Sequence, residues 1–198
     1  MKEAIAETRR QSLLGRGISL ERITLGWNCA GIVVLAIAAL AARSVALAAF
    51  GLDSLVEIVA SAVVLWELAE TGPERQRRAL RLIGFAFVVI SVYVAVQSTV
   101  VLVTGYHPGK SGLGVAWTAA TACVMFALAA GKARTGRELG NPVLQTEGRV
   151  TFIDGLLAVA VLIGLLLNTY LGAWWADPLA GFVIVFYGLR EALHIFRD

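Results

Sequence analysis

The stretch SVALAAFGLDSLVEIVASAVVLW, residues 44–66, is apolar enough to cross a membrane as a helix, yet it carries two acids, Asp53 and Glu57, and no basic residue. A carboxylate at bilayer depth is costly unless it is protonated, paired or bound to a cation, so acids held there usually mark an ion or proton path. The alternative is a polar pair that only hydrogen-bonds to neighbouring helices or to a dimer partner. We interpret Asp53 and Glu57 as the centre of a functional site.

The composition of the whole chain indicates a membrane protein. Hydrophobic residues make up 58% of its 198 residues and charged residues 16%, and the mean hydropathy is +0.76. Such values are typical of polytopic membrane proteins. A span needs about 20 predominantly apolar residues, and six segments qualify: 24–42, 45–68, 81–104, 113–133, 150–171 and 176–195.

The predicted fold is therefore an all-α membrane protein with six transmembrane helices in one domain, residues 23–198. Residues 1–22 are rich in charge and lack the apolar core of a secretory signal. We expect them to form a cytoplasmic lead-in helix near the membrane surface.

The distribution of basic residues predicts the orientation of the helices. Of the 17 Lys and Arg residues, all except Arg43 and Lys110 fall at one side of the predicted spans. Lys132 is counted on that side, in the linker after the fourth segment. Basic residues favour the cytoplasmic side, so both termini are predicted to be cytoplasmic. The basic excess then reflects topology, and nucleic acid is not an expected partner.

A third acid, Asp154, lies near the start of the fifth segment. Residues four apart on a helix share a face, so Asp53 and Glu57 can hold one cation between their oxygens, with Asp154 as a further ligand. A weak internal similarity aligns residues 47–57 with 144–154 and matches Glu57 with Asp154. Inverted repeats of this kind meet near the membrane midplane, so Glu57 and Asp154 are predicted to face each other. Because protons compete with metals for carboxylate oxygens, such a site suits metal–proton exchange.

Three motifs resemble the cation diffusion facilitators, which are zinc and related divalent metal transporters with six helices. The pattern Ser-x-Ala-Leu, three residues, Gly-Leu-Asp-Ser-Leu-x-Glu at 44–57 is similar to their second helix. The stretch from Asn141 to Asp154 resembles their fifth helix, and Trp175-Ala-Asp-Pro-Leu-Ala-Gly181 the opening of their sixth. The similarity covers most of residues 20–197. Members of the family usually have a soluble cytoplasmic domain after the sixth helix. This sequence has only a few residues after its sixth segment, so we expect a short form that lacks this domain.

The resemblance implies a tetrahedral metal site at Asp53, Glu57, Val150 and Asp154. Three of these side chains can bind a metal, whereas Val150 stands where the family has His. The remaining set is all oxygen, which tolerates harder cations and selects zinc less sharply.

Glu147 and Asn28 are weaker candidates for the same site. Glu147 lies two turns before Asp154, and we interpret it first as an exposed carboxylate paired with Arg149 or Arg137. Its alternative role is as an entrance ligand or proton acceptor. Asn28, in the first segment, is a polar group that could assist the site or simply bond to another helix.

We expect ordinary structural roles for the remaining histidine, aspartate and cysteine residues considered. His107 and His194 are expected to be solvated. Asp177, before a proline, is expected to cap the sixth helix. Cys29 and Cys123 lie within spans and are expected to pack in the core rather than form a disulfide. No motif typical of an enzyme is present in the sequence.

The sequence thus predicts a secondary transporter that exports a divalent metal from the cytoplasm in exchange for protons. Zinc is the first candidate for its substrate, followed by manganese, cadmium, cobalt or iron, and no cofactor is expected. The family resemblance implies a homodimer, and a bacterial inner membrane is the expected location. One alternative is a metal-binding sensor or partner subunit that does not transport. Another is a carrier of organic cations or protons.

Overall fold

A computed structural model describes the backbone of residues 2–42, 44–69, 72–107 and 109–197. Side chains are described for these residues except at positions 2–6, 45, 46, 49, 52, 56, 177, 180, 181, 183, 184, 187 and 191. This part of the chain forms six α-helices, named in order α1 Lys2–Ala42, α2 Val45–Ala69, α3 Pro73–Thr104, α4 Gly112–Leu139, α5 Pro142–Leu171 and α6 Ala176–Arg197. The prediction of six helices is confirmed.

Four of these helices are long and apolar enough to cross a membrane, judged on the described residues. They are α1 from Glu7 onward, α3, α4 and α5. The count of six spans and the cytoplasmic position of both termini stay predictions.

Proline and glycine residues stand at the ends of three of the helices. Pro73 and Pro142 stand at the starts of α3 and α5, where the missing N–H of proline costs nothing. Gly105, Gly140 and Gly172 end α3, α4 and α5 in the left-handed conformation, with φ values of 58°, 63° and 66°.

The N-terminal part of the chain differs from its prediction. Residues 2–42 form one continuous helix, so the charged segment before residue 23 is not a separate surface helix. From residue 17 onward, this helix carries buried residues at steps of three and four, including Gly17, Glu21, Thr24 and Asn28. Because this stripe packs into the bundle, it holds the segment in line with the span that follows.

The helices form a group of four with a pair beside it. Helices α1, α2, α4 and α5 pack together, and α3 and α6 pack on each other and against α2 and α5. Small residues allow α4 and α5 to approach closely: a Cβ on Gly148 would lie 3.0 Å from the backbone N of Ala133, and one on Gly136 would lie 2.8 Å from the backbone N of Gln145. These contacts fix how α4 is rotated against α5.

Two apolar clusters lie at opposite ends of the bundle. One joins α1, α2, α4 and α5 around Leu35, Phe50 and Ala158. The other joins α2, α3, α5 and α6 around Val64 and Phe87. Between them lies a layer of buried polar side chains.

The outer surface of the bundle is apolar, as expected for helices in lipid. Many large hydrophobic side chains are exposed there, including Val33, Leu40, Phe85, Val96 and Val103. Soluble monomers rarely expose apolar surface on this scale.

The prediction that Cys29 and Cys123 pack in the core is wrong, because both lie on the outer surface as free cysteines. His107 is exposed as expected, with its ring near Trp174, and His194 is also exposed. The side chain of Asp177 lies outside the described residues.

Candidate cation site

The interface between α2 and α5 carries a ladder of polar pairs. The two helices run antiparallel, and steps of four residues along α2 match steps of three or four along α5. The pairs are Asp53 with Asp154, Glu57 with Thr151, and Ser61 with Glu147. A further pair, Glu67 with Asn141, lies at the start of α5.

Asp53 and Asp154 form a buried carboxyl pair. They are 4% and 6% exposed, and their side chains lie within hydrogen-bond distance of each other. Two carboxyl groups so close either share a proton or are both ionised around a bound cation. Asp53 Oδ1 and Asp154 Oδ2 have no hydrogen-bond partner among the described residues. The pair therefore offers two free oxygens to a cation.

Glu57 lies one turn along α2 from this pair. Its Oε1 accepts a hydrogen bond of 2.8 Å from the Thr151 hydroxyl, and it interacts electrostatically with Asp53 and Asp154. The structure thus brings the three predicted ligands into one buried group. The predicted facing of Glu57 and Asp154 is wrong by one turn, because the antiparallel register places Asp154 opposite Asp53.

Val150 does not face the acids. It is buried in the apolar cluster with Val64 and Phe87, toward α3 and α6. The next residue, Thr151, points its hydroxyl at Glu57 instead. A one-residue step on a helix rotates the side chain by about 100°, and this rotation separates the two environments.

Lys132 is a buried lysine within the polar layer. Its Nζ lies 3.0 Å from Glu147 Oε1, 3.0 Å from Glu21 Oε2 and 2.9 Å from Thr151 Oγ1. The side chains of Lys132, Glu21 and Glu147 are fully buried. Buried charges persist only when they are paired, and this cluster pairs them across α1, α4 and α5.

Two sequence interpretations are corrected by this cluster. Glu147 is not an exposed carboxylate bound to Arg149 or Arg137, since it is buried against Lys132. Lys132 does not lie in a linker, since α4 continues to Leu139. Lys132 lies on the buried face of this helix.

The polar layer has more acids than bases. Lys132 is the only basic residue among the buried side chains that the structure describes. Five buried acids surround it or the neighbouring carboxyl pair: Glu21, Asp53, Glu57, Glu147 and Asp154. The remaining negative charge must be neutralised by protons or by a bound cation.

Asn28 is buried, and its side-chain amide forms a hydrogen bond within its own helix. Its amide donates to the Thr24 carbonyl oxygen at 3.1 Å. This contact gives no support to a role for Asn28 in the site, and that role stays a prediction.

The described residues contain no group of three or more His, Cys, Asp or Glu side chains in the arrangement of a metal site. Asp53 and Asp154 point two oxygens at each other, whereas one Glu57 oxygen is held by Thr151. The three-ligand set of Asp53, Glu57 and Asp154 therefore stays a prediction.

Sequence reasoning missed Lys132, Glu21 and Thr151, although the helical period contains a signal for them. Buried positions on α4 recur at 118, 121, 125, 128, 132 and 135. On α1 they recur at 17, 21, 24, 28, 31 and 35. Steps of three and four place Lys132 and Glu21 on the inner faces of their helices. Extending the period before residue 24 would have found Glu21, and applying it within the segment 113–133 would have found Lys132.

The family of the protein follows from a comparison with known protein families. The cation efflux transmembrane domain matches residues 81–198, which is more than half of the chain. The protein belongs to the cation efflux family, and the predicted family resemblance is confirmed. It is an integral membrane protein and a cation transporter, in a family of transporters rather than enzymes. A search of curated proteins gives no match.

The family match begins within α3 and includes α4, α5 and α6. It includes Asp154, Glu147 and Lys132. Asp53 and Glu57, on α2, lie before the matched residues, so their assignment rests on the α2–α5 ladder.

Proposed function

We propose that the protein exports a divalent metal ion, with zinc as first candidate, in exchange for protons, and that Asp53, Glu57 and Asp154 bind the ion. The observation that carries the proposal is the buried pair of Asp53 and Asp154 with its two unpartnered oxygens. In a cation transporter, such a pair is the natural place for the cation.

Exchange for protons follows from the chemistry of the pair. A proton shared by two carboxyls and a metal bound by the same oxygens are alternative ways to neutralise one buried charge. Binding of the metal displaces the proton, and return of the proton displaces the metal. Helices α1, α2, α4 and α5 form one group around the site, and rocking of this group would expose the site to each side in turn.

The ligand chemistry favours an all-oxygen site. Val150 occupies the apolar cluster, and the two histidines, His107 and His194, are exposed. An oxygen set binds zinc less selectively than one with imidazole, and it accepts manganese as well. We propose that the protein works as a homodimer, for which the exposed apolar face of α3 is available.

The test is metal uptake by sealed proteoliposomes under a proton gradient. We expect Asp53→Asn and Asp154→Asn each to lower metal-coupled proton flux by about 100-fold, the upper end of the loss seen when a partner of a metal ligand is removed. Glu138→Gln is the matched control, because Glu138 is an acid on the surface of α4 that pairs with Arg9. Its flux should equal that of the wild type.

Equal flux in Asp53→Asn and wild type would refute the site. Calorimetric metal binding by the wild type without any flux would instead identify a metal-binding sensor or subunit. Proton or organic-cation flux that needs no metal would identify the protein as a carrier of protons or organic cations instead.

A further inference from the structure

The ammonium of Lys132 is held as a bound cation would be. Its Nζ lies 2.9–3.0 Å from three oxygens, of Glu21, Glu147 and Thr151. It donates hydrogen bonds to Glu147 and Thr151 and forms an ion pair with Glu21. The lysine comes from α4, and its oxygens come from α1 and α5. Ser61 of α2 lies within hydrogen-bond distance of both carboxyl groups. All four helices around the transport site thus contribute to this position.

The two carboxylates are not fully satisfied by the lysine. Both oxygens of Glu21 and Oε2 of Glu147 are buried and have no hydrogen-bond partner among the described residues, although Glu21 Oε2 lies 3.0 Å from the Lys132 ammonium. Two carboxylates against one ammonium leave one negative charge in excess. The position therefore has the charge and the free oxygens of a cation site, and a side chain of the protein fills it.

Lys132 is also connected to the predicted metal ligands. Its Nζ donates to the Thr151 hydroxyl, which in turn donates its single hydrogen to Glu57. Lys132 interacts electrostatically with Glu57 and Asp154 as well. Seven residues separate Glu147 from Asp154 along α5, which is roughly 10 Å of helical rise. Because Lys132 contacts both Glu147 and Thr151, which lie seven and three residues before Asp154, its charge acts within about this distance on any ion held by Asp154.

We propose that Lys132 is a tethered cation in a second cation position, formed by Glu21 and Glu147, and that it weakens the hold of the transport site on its metal. The fixed positive charge repels a divalent ion bound near Asp53 and Asp154, and the Thr151 bridge restrains Glu57. The ion is then released during transport instead of being trapped in an excess of carboxylates. This inference rests on the proposed function.

The test measures metal affinity across a series of charge variants. With the acids ionised, the Glu21–Glu147–Lys132 cluster has a charge of −1 in the wild type, −2 in Lys132→Met and 0 in Glu21→Gln. We expect calorimetry on purified protein in lipid nanodiscs to give a manganese Kd about 100-fold lower for Lys132→Met and about 100-fold higher for Glu21→Gln, for a unit charge acting on a divalent ion over about 10 Å at an effective dielectric constant of about 20.

Two further variants separate charge from structure. The double variant Glu21→Gln with Lys132→Met restores a charge of −1, and its Kd should return to the wild-type value. Lys110→Met removes the same charge from an exposed lysine, and its Kd should not change. Circular dichroism and gel filtration check that each protein is folded. If Lys132→Met fails to fold, Glu21→Gln and the double variant carry the test, because the proposal expects the Kd to recover in the double variant, whereas a structural role expects it to rise further.

The outcomes are distinct. Opposite shifts for the two single variants, with recovery in the double variant, support the tethered cation. A purely structural role would weaken metal binding in both single variants, and this result, or unchanged Kd values, would overturn the inference while leaving the proposed function standing. A wild-type protein that binds no metal overturns both.

Discussion

At the scale of the residue, the Thr151 hydroxyl decides how two buried charges are connected. It accepts a hydrogen bond of 2.9 Å from Lys132 and donates one of 2.8 Å to Glu57. A hydroxyl has one hydrogen, so the bond from Lys132 directs that hydrogen to Glu57. The neighbouring Val150, which the family resemblance places at the metal, packs in an apolar cluster.

Thr151→Val keeps the shape of the side chain and removes both hydrogen bonds. Because Glu57 and Lys132 then each lose a buried partner, we expect the variant to lose about 1–3 kcal/mol of stability. Thermal unfolding of the purified protein measures the loss.

Thr99→Val is its matched control. Thr99 is an exposed threonine whose hydroxyl bonds only to the Ala95 carbonyl oxygen of its own helix. We expect its stability to change by less than about 0.5 kcal/mol. Equal losses in the two variants would contradict the bridging role of Thr151.

At the scale of the element, the start of α5 is joined to α2 by one side chain. Asn141 Oδ1 accepts a hydrogen bond of 2.8 Å from the Leu144 N–H and so caps α5. Its Nδ2 donates to the buried carboxylate of Glu67 at 2.9 Å. The cap of α5 is thereby also the last pair of the α2–α5 ladder. It fixes the register that places Asp53 opposite Asp154.

Asn141→Asp keeps the capping oxygen and replaces the donor with a second carboxylate. Asp caps a helix as well as Asn does, so any loss of stability comes from the lost hydrogen bond to the Glu67 carboxylate. We expect a loss of about 1–3 kcal/mol from the unpaired buried group and the like charge. Thermal unfolding is the measurement, and adding Glu67→Gln should recover most of the loss.

Ser111→Asp serves as the control for this element. Ser111 is buried and caps α4 through a hydrogen bond from the Gly114 N–H. Because Asp is as good a helix cap as Ser, we expect a smaller loss of stability than in Asn141→Asp. A loss in Asn141→Asp that Glu67→Gln does not recover would show that the cap alone is responsible.

At the scale of the whole molecule, the buried lysine leaves the predicted orientation intact. Removing Lys132 from the cytoplasmic count still leaves Arg43 and Lys110 as the exceptions among the 17 basic residues. The positive-inside rule thus continues to favour cytoplasmic termini. Lys110 and Arg137 are both exposed and lie beyond opposite ends of α4 or near them, so they can report on the two sides.

Single cysteines at these two positions test the orientation. In a background of Cys29→Ala and Cys123→Ala, Lys110→Cys should react with an impermeant maleimide added to intact cells. Arg137→Cys should react only after the membrane is permeabilised, because the predicted cytoplasmic side is shielded. Gel-shift analysis of the labelled protein gives the result. Labelling of Arg137→Cys in intact cells would reverse the predicted orientation.

The sequence determined the membrane class, the six helices and the acids that need a cation. Apolar segments of span length, with proline and glycine at their ends, place the helices of this chain. Asp53, Glu57 and Asp154 were identified because an acid in an apolar segment is costly. The same rule was not applied to Lys132, which lies inside the predicted fourth segment, 113–133, but was counted with the basic residues of the linker that follows.

Only the tertiary structure decided which partner each charge takes. Glu57 and Thr151 are 94 residues apart in the chain, and Glu67 and Asn141 are 74 apart. Helical period shows which residues share a face, but the register and rotation between distant helices are set by packing, such as the close approach at Gly148 and Gly136. That packing turns Asp53 and Glu57 from two acids without a counter-ion into one end of a network that includes Lys132.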